Sequence, residues 1–229
     1  MIPGRRVWIT RALPAADATA SRVAALGFAP VVAPLLEVRD LPGAIDLTGV
    51  GALAFTSGAG VRAFVARCGD RRRPVFAVGA ATADVARVAG FARVIRADGD
   101  VGALARTIVA ATPRLSGVVL HPRAAEPAGD LVGDLLGAGI AARATALYET
   151  IPTRIRMDIS RLAAALVHSP KAARLVADRL RRTPAPALWL LCLSPAVAEP
   201  LVAAAGGRLA VAALPNEDAL LSLLSDRGL

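Results

Sequence analysis

Residues 54–57 read Ala-Phe-Thr-Ser and residues 166–169 read Leu-Val-His-Ser. In both stretches an apolar strand ends in serine, and a helical pattern follows, so each predicts a buried strand that leads directly into a helix. Two further pairs of stretches match in the same order, about 112 residues apart. They are residues 7–11 with 119–123, and residues 76–83 with 191–198. This internal repeat predicts two similar α/β lobes, and the alternative is chance similarity in an alanine-rich chain.

Short apolar strands and helical patterns alternate throughout the chain, which predicts an α/β fold of parallel sheets with helices on both faces. The segment Pro30 to Leu36 is expected to be extended. The helix after Ser57 is expected to end at Gly69, with Val61, Phe64, Val65 and Cys68 on its buried face. The next helix is expected to bury Val85, Val88 and Ala89 and to end at Gly90.

Composition excludes several classes of protein. The chain has 229 residues, of which 55% are hydrophobic and 20% charged, so it is not intrinsically disordered. Its two cysteines are too few for a disulfide framework or a zinc site. Charged residues, Gly or Pro interrupt every apolar run before about 18 residues, and no signal peptide is visible. These features predict a soluble protein of the reducing cytoplasm that does not associate with membranes.

The net charge is +9, since 27 basic residues oppose 18 acidic ones. Such a charge favours an acidic partner, which could be a nucleic acid, an anionic lipid or a polycarboxylate. Because Lys171 is the only lysine, the charge is equally explained by the arginine-rich composition of a GC-rich genome. Aromatic residues make up only 3% of the chain, which argues against nucleic-acid binding by base stacking.

Ligands of parallel α/β sheets bind beyond the carboxyl ends of the strands, where helix N-termini favour anions. The residues at these ends offer hydroxyls, backbone amides and cations, without paired carboxylates, a His-Cys pair or a metal-binding cluster. This chemistry suits the binding of carboxylates or phosphates. The candidate binding residues are Arg11, Ser57, Gly58, Gly79, Thr82, Arg123, Ser169, Lys171 and Ser194.

Each candidate also has a structural explanation. Serines 57 and 169 and Thr82 are simply explained as helix caps, and the two arginines as solvated side chains. His121 and His168 are expected to be structural. Tyr148 is the single tyrosine, and its phenol could donate a proton or pack in the core.

Several motifs lie in register with one family. They are Thr10-Arg11 after the first strand, Phe55-Thr56-Ser57, Val78-Gly79 with Thr82-Ala83, Tyr148-Glu149-Thr150, and Ser169-Pro170. Together they resemble the uroporphyrinogen-III synthase family over essentially the whole chain. The resemblance implies a discontinuous lobe of residues 1–36 and 151–229, an inserted lobe of residues 37–150, a two-stranded β linker between them, and an active site between the lobes.

The resemblance also implies the reaction. Hydroxymethylbilane, a linear tetrapyrrole with eight carboxylates, is cyclised to uroporphyrinogen III with inversion of ring D and loss of water, by a lyase of heme biosynthesis that needs no cofactor or metal. A monomer is the default expectation, since no exposed apolar helix stripe stands out in the sequence. Tyr148 matches a tyrosine that assists departure of the hydroxyl, and Thr82 a threonine that contacts substrate. The remaining candidates are assigned to substrate binding. One departure is Ser194-Pro195, where the family often has Gly-x-x-Thr-Ala.

Two alternatives remain from the sequence. The same arrangement would suit a non-catalytic two-lobed binding protein for an acidic small molecule, and turnover of hydroxymethylbilane separates the two. The charge of +9 leaves a nucleic-acid or regulatory module as a third hypothesis, which salt-dependent DNA binding would test.

Overall fold

The computed structural model describes residues 5–111, 116–154 and 157–226. The first half of the chain forms β1 (Arg6–Ile9), α1 (Ala15–Ala25), β2 (Ala29–Val32), β3 (Leu36–Asp40), β4 (Val50–Phe55), α2 (Gly58–Val65), β5 (Val75–Val78), α3 (Gly79–Val88), β6 (Val94–Ala97) and α4 (Val101–Ala111). The second half forms β7 (Val118–Ala124), α5 (Leu131–Gly137), β8 (Ala142–Pro152), β9 (Ala164–Val167), α6 (Pro170–Arg182), β10 (Trp189–Cys192), α7 (Pro195–Ala198), a 3-10 turn (Glu199–Leu201), β11 (Leu209–Val211) and α8 (Glu217–Asp226). None of the described helices is long and apolar enough to cross a bilayer.

The chain divides into two compact units. Unit 1 comprises Met1–Glu37 and Ile151–Leu229, and unit 2 comprises Val38–Thr150. In unit 1 the strands are parallel in the order β11-β10-β9-β1-β2. Successive side chains of a strand point to opposite faces, so Trp8 packs in one hydrophobic cluster and Val7 and Ile9 in another. The sheet is therefore buried on both faces, as the alternation of strands and helices predicts.

The sheet of unit 2 has the order β3-β8-β7-β4-β5-β6, and its five strands from β8 to β6 are parallel. Phe55, Phe64 and Phe91 pack together on one face, with ring centroids 5.8–6.2 Å apart. Leu104 and Ile108 of α4 cover the other face with Leu135 of α5. The mixed α/β architecture with parallel sheets flanked by helices agrees with the fold class expected from the sequence.

The strand registers match the internal repeat residue for residue. Val7 lies opposite Ala164 in unit 1, and Val119 lies opposite Ala52 in unit 2. In each pair the corresponding residues are 112 positions apart. The order β2-β1-β9-β10-β11 therefore corresponds to β8-β7-β4-β5-β6. Each set of five corresponding strands takes two strands from one copy of the repeat and three from the other, and β3 is an additional edge strand in unit 2.

Strands β3 and β8 are neighbours and run antiparallel. The amide of Leu41 donates to the carbonyl of Leu147, and Arg39 pairs with Glu149 two residues further along. Because residue numbers rise on one strand as they fall on the other, the pairing is antiparallel. β3 is therefore an antiparallel edge strand on an otherwise parallel sheet.

Two local expectations, the end of α2 and the burial of Val88, are wrong, and the expectation for Cys68 holds in part. Helix α2 ends at Val65, four residues before Gly69. It is closed by a tight turn, in which the amide of Arg67 donates to the carbonyl of Phe64. Cys68 lies beyond the helix and is half-buried, although it does pack against the core. Val88 is 91% exposed, since α3 buries the face of Thr82, Ala83 and Ala86 instead.

The segment expected to be extended from Pro30 to Leu36 forms a strand only as far as Val32, and β3 begins at Leu36. Between them the amide of Leu35 donates to the carbonyl of Thr10, and the carbonyl of Leu35 accepts from the amide of Thr153. The chain leaves β1 at this point to pair with the segment after β8. A single extended segment is therefore divided between two different pairings.

Candidate functional site

The carboxyl ends of the strands hold the polar side chains in both units. In each sheet the order reverses between two neighbouring strands, β1 and β9 in unit 1 and β7 and β4 in unit 2. The connections leave these two strands in opposite directions, which opens a crevice at their carboxyl ends in folds of this kind. The candidate residues of each unit lie at or next to this position.

In unit 2, Ser57 and Tyr148 are joined by a hydrogen bond. Their hydroxyl oxygens are 2.7 Å apart, and either group can be the donor. Ser57 is also the N-cap of α2, because its Oγ accepts the amide of Gly60 at 3.1 Å. Since an N-cap serine is held by the helix it caps, α2 fixes the hydroxyl that contacts the phenol.

The ring of Tyr148 is 5% exposed and packs in the hydrophobic core of unit 2. Burial raises the pKa of its phenol, although the hydrogen bond from Ser57 and the charge of Arg62 act in the opposite direction. The phenol therefore keeps its proton at neutral pH. Core packing and a hydrogen-bonded hydroxyl thus occur together in this residue, and the hydroxyl can act as a proton donor.

Geometry favours glycine at both candidate glycine positions of unit 2. Gly79 begins α3 with a φ of +68°, a conformation that side chains disfavour. A Cβ at Gly58 would lie 3.2 Å from Cγ2 of Val85, so its absence lets α2 and α3 approach closely. Thr82 lies on the buried face of α3 and is 7% exposed.

His121 and Arg123 lie two positions apart on β7. Nδ1 of His121 donates to the carbonyl of Ala54 at 2.9 Å, and Nε2 is buried with no hydrogen-bond partner among the described residues. Arg123 donates to the carbonyls of Ala124 and Ala125. Burial lowers the pKa of His121, and Arg123 lowers it further, while the Ala54 bond acts against them. The imidazole is therefore neutral at neutral pH, and Nε2 is a lone-pair acceptor.

In unit 1, Arg11 follows β1, as Arg123 lies near the end of β7, and Arg11 contacts a carboxylate of the chain itself. Glu217, the first residue of α8, accepts hydrogen bonds from Arg11 at 2.8 Å, Thr19 at 2.6 Å and His168 at 3.1 Å. Burial alone would raise the pKa of Glu217, but the contacts with His168, Thr19 and Arg11 together lower it to about 2. Arg11 therefore has a carboxylate partner within its own unit.

Sequence reasoning did not identify Glu217. The available signal was an acid that follows Asn216, the cap of α8, and lies near the carboxyl end of the sheet. The internal repeat did not indicate Glu217 either. The equivalent helix of unit 2 is α4, which follows the cap Asp100 and begins with Val101 instead of an acid.

The remaining candidates of unit 1 lie at helix starts. Ser169 caps α6 by accepting the amide of Ala172 at 3.2 Å, and Lys171 is the second residue of that helix. Ser194 precedes α7, a helix of only four residues, and its side chain makes no capping bond. Thr10 donates to the carbonyl of Leu166 at 2.7 Å and is fully buried.

Within unit 2 the structure thus brings Ser57 and Tyr148 into contact, and within unit 1 it brings Arg11 and His168 to Glu217. In the described ranges, no group of three or more His, Cys, Asp or Glu side chains is placed to hold a metal ion. These groups can form hydrogen bonds, donate a proton from a neutral phenol, and bind anions.

Comparisons with known proteins agree on one family. Residues 17–222 match the sequence model described as HEM4, uroporphyrinogen-III synthase HemD. The solved structure of uroporphyrinogen-III synthetase from Helicobacter pylori is similar with a TM-score of 0.68 and 18% identity, over 98% of this chain and 99% of that one. A mutant uroporphyrinogen III synthase from Thermus thermophilus is similar with a TM-score of 0.57 and 17% identity, over 98% and 97%. No curated protein matches the sequence.

Proposed function

The chain belongs to the uroporphyrinogen-III synthase family and cyclises hydroxymethylbilane to uroporphyrinogen III, and we propose that Tyr148 is the catalytic proton donor of this reaction. The observation that carries the proposal is the 2.7 Å contact between the hydroxyls of Tyr148 and Ser57. A buried phenol that keeps its proton is suited to protonate a leaving hydroxyl, and the capped serine holds it in place.

In the proposed step, Tyr148 protonates the hydroxyl group that leaves. The bond between carbon and oxygen of the hydroxymethyl group breaks, the electron pair stays on oxygen, and oxygen takes the phenolic proton of Tyr148 and leaves as water. The resulting cation-like azafulvene carbon bonds to the ring D carbon that already carries the methylene bridge from ring C. That bridge bond then breaks, and the bridge carbon bonds to the unsubstituted α-carbon of ring D, which leaves ring D inverted. The proton that ring D releases returns to the phenolate. The net change is loss of one water, so we assign the enzyme to the hydro-lyases.

The carboxylates of the substrate need cations and free amides. We propose that Thr82, Gly58, Gly79 and Arg123 in unit 2, with Ser169, Lys171 and Ser194 in unit 1, supply them, whereas Arg11, expected from the sequence to bind substrate, is already paired with Glu217. Helices α2, α3 and α6 begin at these residues, and free N–H groups at helix N-termini favour anions. Holding the flexible chain in one conformation lowers the barrier by orientation, which is consistent with a site that lacks a conventional catalytic constellation.

We further propose that β3 and β8 form the linker implied by the family, that the protein is a monomer, and that it acts in the cytoplasm on a small-molecule substrate without a cofactor. The antiparallel pairing of these strands supports the linker. Sedimentation of the purified protein tests the monomer.

The experiment is an isomer assay on Tyr148→Phe. Hydroxymethylbilane is supplied, the porphyrinogens formed are oxidised, and the type I and type III isomers are separated. Without the phenol, we expect type III formation to fall about a hundredfold, since proton donation typically contributes that much, while uncatalysed closure to type I continues. Full activity of Tyr148→Phe would refute the assigned role.

Ser57→Ala is the positioning variant in the same assay. It leaves the phenol in place but removes its hydroxyl partner, so we expect a smaller loss of type III product. Asp100→Ala, which removes the cap of α4 and touches no residue assigned to substrate binding, is the matched control for the loss of a helix cap alone. If Ser57→Ala and Asp100→Ala lose activity equally, Ser57 acts only through the helix.

A further inference from the structure

Arg62 belongs to the second turn of α2, but its guanidinium lies at the N-terminal end of the helix. Its Nη1 is 3.3 Å from the position that a Cβ on Gly58 would occupy, four residues earlier. Side chains of a helix tilt towards its N-terminus, so a residue covers the position four residues before it. Because Gly58 has no side chain to keep the guanidinium away, the charge of Arg62 reaches the first turn of α2.

This position is unfavourable for a cation taken alone. The N-terminus of a helix carries a partial positive charge, which favours anions and disfavours cations. The first turn of α2 holds no acidic residue that would compensate the charge. Arg62 is nevertheless half-buried there, with the side chain of Val85 on α3 beside the same position. A cation held at this end of a helix indicates that a negative charge forms nearby.

Tyr148 is the group on which such a charge can form. Its hydroxyl oxygen is 2.7 Å from that of Ser57, which is the N-cap of the same helix. Burial raises the pKa of Tyr148, and the charge of Arg62 acts in the opposite direction together with the hydrogen bond from Ser57. The guanidinium is therefore close enough to the phenol to favour its ionised form.

We propose that Arg62 stabilises the phenolate that Tyr148 becomes when it protonates the leaving hydroxyl group. The phenolic proton goes to the leaving oxygen, the negative charge stays on the phenolic oxygen beside Arg62, and the proton released by ring D later neutralises it. The inference rests on the proposed function, since it concerns the same proton transfer. Arg62 acts through Tyr148 and is therefore a positioning residue, which the sequence did not indicate.

Other charged side chains on the elements around Tyr148 are held by partners of their own. Those close to β8 are Arg67 after α2, which donates to the carbonyls of Leu41 and Leu147, Glu149, which pairs with Arg39, and Arg123 on β7, which donates to the carbonyls of Ala124 and Ala125. On α3, Asp84 and Arg87 pair with each other at the surface. His121 on β7 has a lowered pKa because it is buried, and it is neutral at neutral pH.

The first test measures the ionisation of Tyr148 directly. Because the chain has a single tyrosine, growth on a difluorinated tyrosine analogue places fluorine at this residue alone. Fluorine makes the phenol more acidic, so its titration can be followed by fluorine NMR in folded protein. Arg62→Gln should move the midpoint to higher pH, since a nearby positive charge favours the phenolate. A midpoint equal to that of the wild type would overturn the proposal.

Two matched variants accompany this titration. Arg62→Lys keeps the positive charge, and it should restore most of the wild-type midpoint. Arg87→Gln removes an arginine of α3 that is exposed and pairs with Asp84, and it should titrate as the wild type does. If Arg87→Gln moves the midpoint as far as Arg62→Gln does, the effect is one of net charge and the proposal is wrong. Circular dichroism verifies the folding of each variant.

The second test separates stabilisation of the phenolate from binding of a substrate carboxylate. A phenolate exists only after proton transfer, so Arg62→Gln should lower kcat for type III formation about tenfold and leave KM nearly unchanged. This loss is smaller than the one expected for Tyr148→Phe, because the proton donor remains. A higher KM with an unchanged kcat would assign Arg62 to a carboxylate instead and overturn the proposal.

A double variant tests whether Arg62 acts through Tyr148. No phenolate can form in Tyr148→Phe, so adding Arg62→Gln to it should cause little further loss of type III product. Losses that multiply would show an independent role and overturn the proposal. The proposed function itself depends on type III formation by the wild type. If the wild type forms none, that function fails, whereas the fluorine titration still decides whether Arg62 stabilises the phenolate.

Discussion

Replacing Glu217 by glutamine should destabilise unit 1 substantially at neutral pH. Contacts with His168, Thr19 and Arg11 lower the pKa of this carboxyl from the usual 4.5 to about 2, against the effect of burial. Each pH unit of that difference corresponds to about 1.4 kcal/mol of stability, so the ionised form contributes about 3 kcal/mol. Glutamine keeps one acceptor oxygen, and we therefore expect a loss of about 2–3 kcal/mol.

Tryptophan fluorescence is the appropriate assay. The chain has two tryptophans, Trp8 and Trp189, and both lie in unit 1. Trp8 is fully buried on the sheet, so its emission reports the unfolding of the unit that contains Glu217. At a urea dependence of about 2 kcal/mol per molar, the midpoint should fall by roughly 1–1.5 M.

The pH dependence has a definite sign. The folded pKa is lower than the unfolded one, so the contribution is complete above about pH 4.5 and is lost as the pH falls towards 2. The difference between the wild type and Glu217→Gln should therefore persist from pH 7 to 5 and shrink at lower pH.

Asp218→Asn is the matched control, because this neighbouring acid has a side chain that is 86% exposed and pairs with Arg22 at the surface. Exposed ion pairs contribute little, and we expect less than about 0.5 kcal/mol. A Glu217→Gln midpoint equal to that of Asp218→Asn would refute the reasoning. So would a destabilisation that stays undiminished at pH 3.

Two other predictions concern packing and reactivity. Gly60→Ala should destabilise unit 2 by about 1–3 kcal/mol, since its Cβ would lie 2.9 Å from the carbonyl oxygen of Pro122. A Cβ at Gly137 would meet nothing within 4 Å, so Gly137→Ala should instead stabilise its helix by about 0.5–1 kcal/mol. Calorimetry that gave the two variants the same melting temperature would contradict both expectations. Burial raises the pKa of the Cys192 thiol to about 12, so a thiol reagent at pH 8 should label native protein only at half-buried Cys68 and reach Cys192 after unfolding in urea. Labelling of both cysteines at one rate in the native state would show that the core opens there.

The sequence predicted the parallel sheets and their flanking helices because strand ends and helix caps leave local signals. Ser57 and Ser169 each follow a buried strand and cap the next helix, as expected. Val88 was misplaced because a valine at helical spacing looks like a core residue, whereas α3 packs through small residues such as Ala83 and Ala86. Hydrophobic spacing cannot show that alanine was preferred to valine on a close-packed face.

Long-range contacts explain what the candidate site left out. Glu217 reaches Arg11 across 206 positions of the chain, and Tyr148 reaches Ser57 across 91. Neither contact has a local pattern, so the sequence could name Arg11, Ser57 and Tyr148 as candidates without indicating the partner of each. The unpartnered nitrogen of His121 is likewise visible only when its surroundings are known.

The sharing of strands between the two copies of the repeat has a consequence for how such a chain can be built. A polypeptide holding one copy alone would carry β1 and β2 without β9, and β4 to β6 without β7, so two sheet edges would lie open. Two identical polypeptides of this kind could close each other's edges by exchange, forming a homodimer with two equal sheets. When the two copies are joined in a single chain, the two sheets no longer have to be identical in sequence. One sheet can then keep a glutamate and the other a valine at the same position.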